Sequence, residues 1–231
     1  MTPKLTQISP LLFEFEWISE VSDELLQHQL TFKDRLQKEF TTELAELRMG
    51  FKTLALVLST PLEARIIKQW LRSNSTQGSL NPLPSKIWQI PVCYSPETGR
   101  DLQALAKSKN MEQDELISLH SQGQYRLHFY GFLPGFMYLN GLPNRLYTAR
   151  KSVPDRVVPA GSVAIGASQT GIYPSVSPGG WHLIGQTPVP LFDPGHIPPV
   201  FASAGERIEF TPITIQQFTR LQRHPHPPLC K

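Results

Sequence analysis

Residues 131–139 read GFLPGFMYL and residues 158–188 read VPAGSVAIGASQTGIYPSVSPGGWHLIGQTP. Interior glycine costs a helix about 1 kcal/mol and proline about 3 kcal/mol, so stretches this rich in both are not helical. Short apolar runs such as Val163–Ile165 and Leu183–Ile184 alternate instead with turn residues. That texture predicts compact β-structure with ordered loops lining a surface or pocket. It continues to Pro212 and fits a barrel or sandwich better than a βαβ array.

The upstream half has a different rhythm. Leu11–Trp17 alternates, with Phe13, Phe15 and Trp17 on one side, as a half-buried strand does. Ser22 followed by Asp23 and Glu24 predicts a helix running towards Leu47, with a break near Thr41–Thr42. Leu54, Leu56 and Leu58 mark a second strand, and Thr60-Pro61-Leu62-Glu63 opens a second helix with Leu62, Ile66, Ile67, Trp70 and Leu71 on one face. After a polar connector at Ser73–Ser85, Ile87–Val92 reads as a third strand. The expected fold class is therefore α+β: a ferredoxin-like βαβαβ sandwich over 1–89, a β-barrel or β-sandwich over 90–215 and a tail over 216–231.

Between the third strand and the Gly-rich stretch, Asp101–Lys109 and Met111–His120 read as short helices, the second capped by Asn110. Tyr125–Phe132 alternates as a strand, and Arg223–Lys231 has so little to bury that a mobile tail is expected.

Composition bounds the function. The 231 residues carry 22 basic and 19 acidic side chains, a net charge of +3 too small and scattered for a nucleic-acid groove. Apolar residues at 40% and charged residues at 18% suit a folded chain. No apolar run approaches the roughly 18 residues of a membrane span, and no leader pattern opens the chain. Cys93 and Cys230 share no disulfide or zinc spacing. The expectation is a cytoplasmic protein with no nucleic-acid or membrane partner.

Candidate chemistry gathers around the Gly-rich stretch. His120, at the end of a predicted helix, has a reference pKa near 6.5 that suits an acid or base at neutrality; its alternative role is favourable placement at the negative helix end. Arg150, Lys151 and Arg156 bring cations to a region otherwise poor in charge. Guanidinium forks hold carboxylate or phosphate, so an anionic ligand or acidic partner is expected, with Arg150 foremost. Gln169, Tyr173 and Trp181 could wall a pocket, Trp181 equally serving as core. The loops Pro159–Ser162 and Ser177–His182 could let backbone amides approach a ligand, with tight turns the plainer explanation. They match neither GxxxxGK[ST] nor GxGxxG, and Ser162 and Ser168 lack a GxSxG elbow. His182 and His196 have no neighbours at ligand spacing, so no metal is expected.

The runs PVCY (Pro91–Tyr94), Leu119–His120, GFLPGFMYL, VPAGSVAIG, QTGIYP, SPGGWHLIG and LFDP resemble the family of the 5-oxoprolinase B subunit. That family is also called allophanate hydrolase subunit 1 or KipI-type kinase inhibitor, and it is related to the carboxyltransferase part, subdomains C and D, of urea carboxylase. The resemblance runs from about Ile90 to Phe210. It implies a cyclophilin-like barrel after the N-terminal domain, a relative of the 5-oxoprolinase C subunit and a lactam-hydrolase subunit as partners, and ATP used by the complex to open 5-oxoproline to glutamate. His120 and Arg150 stand at catalytic positions. Phe136, Tyr138, Ser162, Gln169, Tyr173, Trp181 and His182 stand at substrate- or partner-binding positions. Asp155 and Gln186 occupy positions where members usually carry arginine, with Arg156 a candidate substitute for the first. The rival implied functions are inhibition of a sensor histidine kinase and a carboxyltransferase-related role in urea or allophanate metabolism.

Overall fold

A computed structural model describes residues 1–74 and 79–231, so the connector expected over Ser73–Ser85 falls partly outside the described residues. The chain divides into two compact units, 1–83 and 84–231.

The first unit runs β1 (Lys4–Ser9), β2 (Leu12–Glu16), α1 (Asp23–Glu39), β3 (Leu44–Met49), β4 (Thr53–Leu58) and α2 (Ala64–Asn74). Its sheet has the order β1-β2-β4-β3 and is antiparallel throughout. Alternation places Phe13 and Phe15 of β2 beside Leu54 and Leu56 of β4 on one face, where they bury against Leu25, Phe32 and Leu36 of α1 and Ile67 and Trp70 of α2. Phe32 meets Phe15 and Trp70 edge-on at 4.9 and 5.2 Å, which adds to area burial of roughly 1.5–3 kcal/mol per large side chain. The Ser22 hydroxyl caps α1 by accepting the Leu25 N–H at 3.1 Å.

The α/β sandwich is present, but its element order is ββαββα where βαβαβ was expected. Helix α1 stops at Glu39, and the Thr41 hydroxyl turns back onto the carbonyls of Gln37 and Lys38. The segment expected as its continuation is β3. Both unanticipated strands, β1 and β3, lie at sheet edges, and neither contains a fully buried residue, so the alternation is weak. Helix α2 begins at Ala64, three residues later than the capping pattern suggested.

The second unit opens with β5 (Ile87–Cys93), so the predicted third strand of the sandwich lies wholly in the barrel unit. There follow α3 (Leu102–Ser108), α4 (Gln113–Ser121), β6 (Tyr125–Tyr130), β7 (Met137–Asn140), a 3₁₀ turn at Asn144–Leu146, β8 (Asp155–Val158), β9 (Ser162–Gly166), β10 (Gln169–Ile172), β11 (Ser177–Gly179), β12 (His182–Gln186), β13 (Arg207–Ile213), α5 (Ile215–Arg223) and β14 (Leu229–Cys230). Glu112 rather than Asn110 stands at the N-cap of α4, and Asn110 adopts φ 53°. Seven strands run β12-β9-β10-β7-β6-β13-β5, and β12 pairs back onto β5 at Gln186 and Cys93. The barrel is closed as expected, and closure removes its edges. Helix α5 and β14 occupy residues expected as tail; Leu229 and Cys230 pair with Gln89 and Trp88.

The barrel wall has two apolar faces. Met137, Leu139, Val163, Ile165, Ile172 and Ile184 share the large core. Their alternate neighbours Ala164 and Leu183 join Phe136, Val158, Tyr173 and Trp181 in a second cluster. Period-two alternation sends the two sets to opposite sides of the wall, with Tyr138 packed against the second. The β8–β11 ribbon contributes Val158 to the outer cluster.

Candidate functional site

The outer cluster opens into a pocket of about 320 Å³, lined chiefly by Phe132, Phe136, Tyr138, Arg150, Tyr173 and Trp181, with Lys151, Pro154 and residues 178–180 at its rim. Its floor exists because β9 and β10 present glycine there. A Cβ on Gly166 would lie 2.6 Å from the Trp181 ring, and one on Gly171 would lie 2.8 Å from the Met137 carbonyl and 3.0 Å from Trp181. The indole therefore lies flat on bare backbone. Phe136 stands edge-on to Trp181 and Tyr173 at 5.6 and 5.0 Å. Phe132 is held at φ 65°, unusual for an aromatic residue, and is 60% exposed with its ring edge-on to Phe136. Such a conformation costs about 1–3 kcal/mol and persists where surrounding structure imposes it.

Arg150 sits over Trp181, its guanidinium carbon 5.5 Å from the ring centroid. Among the described residues no carboxylate pairs with it. Its neighbours are tightly held. The Lys151 N–H donates to the Gly180 carbonyl at 2.7 Å, and His182 Nε2 meets the Ala149 carbonyl at 3.0 Å. Lys151 Nζ lies 2.7 Å from both Asp101 and Asp155, and Asp155 lies 2.7 Å from Arg100. Asp101 also accepts the Leu183 N–H at 2.7 Å, fastening the start of α3 to β12. Burial raises the Tyr138 and Tyr173 hydroxyls above their ordinary pKa despite the opposing Arg150 charge, so both stay protonated near neutrality.

His120 lies on the other side of the wall. It is fully buried inside the barrel, stacked on Phe210 at 4.7 Å. Its Nδ1 is 2.8 Å from Tyr94 Oη and its Nε2 is 2.9 Å from Thr170 Oγ1, which in turn donates to the Ala164 carbonyl at 3.0 Å. Because the threonine proton is spent on that carbonyl, Nε2 carries the imidazole proton and Nδ1 accepts from Tyr94. Burial lowers the His120 pKa to about 3, so the ring is neutral throughout the physiological range.

The structure thus gathers five predicted residues, Phe136, Tyr138, Arg150, Tyr173 and Trp181, in one pocket and leaves four outside it. His120 and Arg150, expected in one cavity, are not brought together: the His120 ring is buried away from the pocket with both nitrogens engaged. Ser162 is buried, its N–H bonded to the Pro159 carbonyl and its carbonyl to the Tyr173 N–H. The adjoining Gly161, at φ 77°, packs against the Thr187 carbonyl, so the loop is a tight turn rather than a ligand cradle. Gln169 and His182 do not line the pocket, and His182 fastens the segment carrying Arg150. Asp155 occupies its position as the pair of Lys151 and Arg100, and Gln186 donates to the Ala160 carbonyl. Arg156 is exposed and does not line the pocket. Sequence reasoning missed Asp101 and Arg100, whose only local sign was a helix-start position; it quoted Tyr94 and Thr170 within motifs without giving them roles. Among the described residues no group of three metal-binding side chains occurs and no helix is long and apolar enough to cross a membrane.

The whole chain superposes on 16% of the K. lactis urea amidolyase chain with a TM-score of 0.80 at 15% identity, a likeness of fold alone. The chain belongs to the carboxyltransferase domain, subdomain C and D, family, whose model matches residues 3–202. It is 39% identical to the 5-oxoprolinase B subunit of Bacillus subtilis over 73% of this chain and 70% of that protein. With the Haemophilus influenzae protein of the same name it shares 38% identity over 80% of this chain and 86% of the other. It also superposes on the crystal structure of TTHA0988 with a TM-score of 0.74 at 29% identity, covering 87% of this chain. There it spans only 40% of the longer polypeptide.

Proposed function

We propose that this chain is the B subunit of an ATP-dependent 5-oxoprolinase, working with a relative of the C subunit and with a lactam-hydrolase subunit in the cytoplasm. The observation that carries the reading is the 38–39% identity to proteins named as the 5-oxoprolinase B subunit over most of both chains. In this reading Arg150 is the anion contact and the rings of Phe136, Tyr138, Tyr173 and Trp181 hold the ligand's body.

The pocket's chemistry supports a role shared with other subunits. Its lining holds two cations and two protonated phenols but no carboxylate, histidine or thiol, so a general base for water attack must come from a partner. Hydrolysis of an unreactive lactam also needs an activating step: phosphorylation of the carbonyl oxygen by ATP, with release of ADP, lets water add to the carbonyl carbon, the ring C–N bond breaks with the nitrogen leaving as the amine, and the acyl phosphate so formed is hydrolysed to glutamate and phosphate. ATP is a substrate of the assembly in this account, and no metal is assigned to this chain.

Co-expression of the three chains, with glutamate release from 5-oxoproline followed in the presence of ATP, tests the proposal. The expected result is turnover by the assembly and none by this chain alone. Absence of turnover by every combination, together with tight binding of a sensor histidine kinase, would transfer the assignment to a kinase inhibitor.

A further inference from the structure

The pocket borders two consecutive cations, Arg150 and Lys151, yet only one is available to a ligand. Lys151 is 17% exposed and bridged at 2.7 Å by Asp101 and Asp155, while Asp155 is also paired with Arg100. Two carboxylates therefore stand against two cations, and the group is neutral as a whole. Burial pushes the Asp155 carboxyl up, but bonds from Lys151 and Arg100 outweigh it and hold the group below its ordinary pKa, ionised at neutrality. Its negative charge reaches the pocket, where it acts on the Tyr173 hydroxyl.

We infer that the pocket selects a small planar monoanion, a carboxylate on a flat body, and rejects di- and trianions such as inorganic phosphate or a nucleotide triphosphate. A single guanidinium fork matches one carboxylate. A second negative charge on the ligand meets a lysine already neutralised and a carboxylate of its own sign, with protein walls that screen poorly. The aromatic lining supplies faces for a ring. The inference rests on this pocket being the ligand site of the proposed subunit, and it places the nucleotide elsewhere in the assembly.

The test uses the full chain alone. Titrations with 5-oxoproline, 2-pyrrolidinone (the same ring without the carboxylate) and inorganic phosphate are followed through the Trp181 indole and Arg150 Nε–H resonances, assigned with Trp181→Phe and Arg150→Met. Expected are saturable shifts with 5-oxoproline, binding of 2-pyrrolidinone at least about tenfold weaker, and no saturable shift with phosphate. Asp155→Asn, which frees Arg100 and leaves Lys151 against Asp101 alone so that the group gains a net positive charge, is expected to gain phosphate binding by about fivefold or more, and Asp155→Glu to keep wild-type selectivity. Adding Lys151→Met to Asp155→Asn should remove the gain. Wild-type chain binding phosphate as tightly as 5-oxoproline, no 5-oxoproline response at Arg150, or an unchanged phosphate affinity in Asp155→Asn each overturn the inference. Failure of the assembled chains to turn over 5-oxoproline would remove the hydrolase reading while leaving selectivity measured on this chain intact.

Discussion

Two consecutive residues of β10 face different worlds. Thr170 points into the barrel, where its hydroxyl completes a run from Tyr94 through His120 to the Ala164 carbonyl. Gly171 faces outward, beneath the rings of Phe136 and Trp181. Within the buried run each polar group is matched by another, and the low dielectric makes such a run strong only because it is complete. The pocket leaves a guanidinium without a carboxylate and an aromatic wall open. Capacity for a ligand follows from interactions left unmade, so the pocket rather than the buried histidine is the place to look for binding.

That contrast breaks if changing His120 abolishes ligand binding without unfolding the protein. His120→Ala removes a stacked ring and strands Tyr94 and Thr170, a loss of about 3–5 kcal/mol expected in urea denaturation. The same residue gives a pH signature. Because its folded pKa of about 3 lies below the ordinary value of 6.5, the unfolded chain binds a proton that the native state refuses. Its contribution is full above about pH 6.5 and falls by about 1.4 kcal/mol per pH unit down to about pH 3. His120→Gln is expected to flatten that part of the stability-against-pH curve, and an unchanged slope would contradict the burial argument.

On the outer side, Gly171→Ala forces a methyl against the Met137 carbonyl and two rings. A loss of about 1–3 kcal/mol in thermal or urea unfolding is expected, with displaced Trp181 resonances. Arg150→Met sharpens the comparison from the opposite direction. Stability should change by no more than about 0.5 kcal/mol, while affinity for a carboxylate ligand falls by about 10–100-fold, as expected for a charge-assisted bond. Phe132→Gly relieves the positive φ, so the unfolding free energy should stay within about 1 kcal/mol of wild type while ligand affinity drops.

Much of this architecture could be read along the chain. Alternation at Leu11–Trp17 and Leu54–Leu58 announced β2 and β4, and the Gly-Pro texture announced a barrel or sandwich. Edge strands β1 and β3 were hidden because no residue of either is fully buried, so neither face had to be apolar. The site was half visible. Arg150 stood out as a cation in a charge-poor stretch, whereas the carboxylates that neutralise Lys151 come from Asp101, fifty residues upstream, and Asp155, four residues downstream.

Local sequence by itself marked the Ser22 cap, the alternating strands β2 and β4 and the Gly-rich turns, because those depend on backbone preferences and on apolar periods spanning a few residues. Which side of the wall each chemical group reached was decided only by closure of the barrel. The partners of His120 lie 26 and 50 residues away, and the pairing of β12 with β5 joins ends that no local signal connects. Desolvation and charge cancellation belong to that three-dimensional neighbourhood, and they leave His120 neutral inside the barrel while Arg150 reaches the outer pocket without a carboxylate.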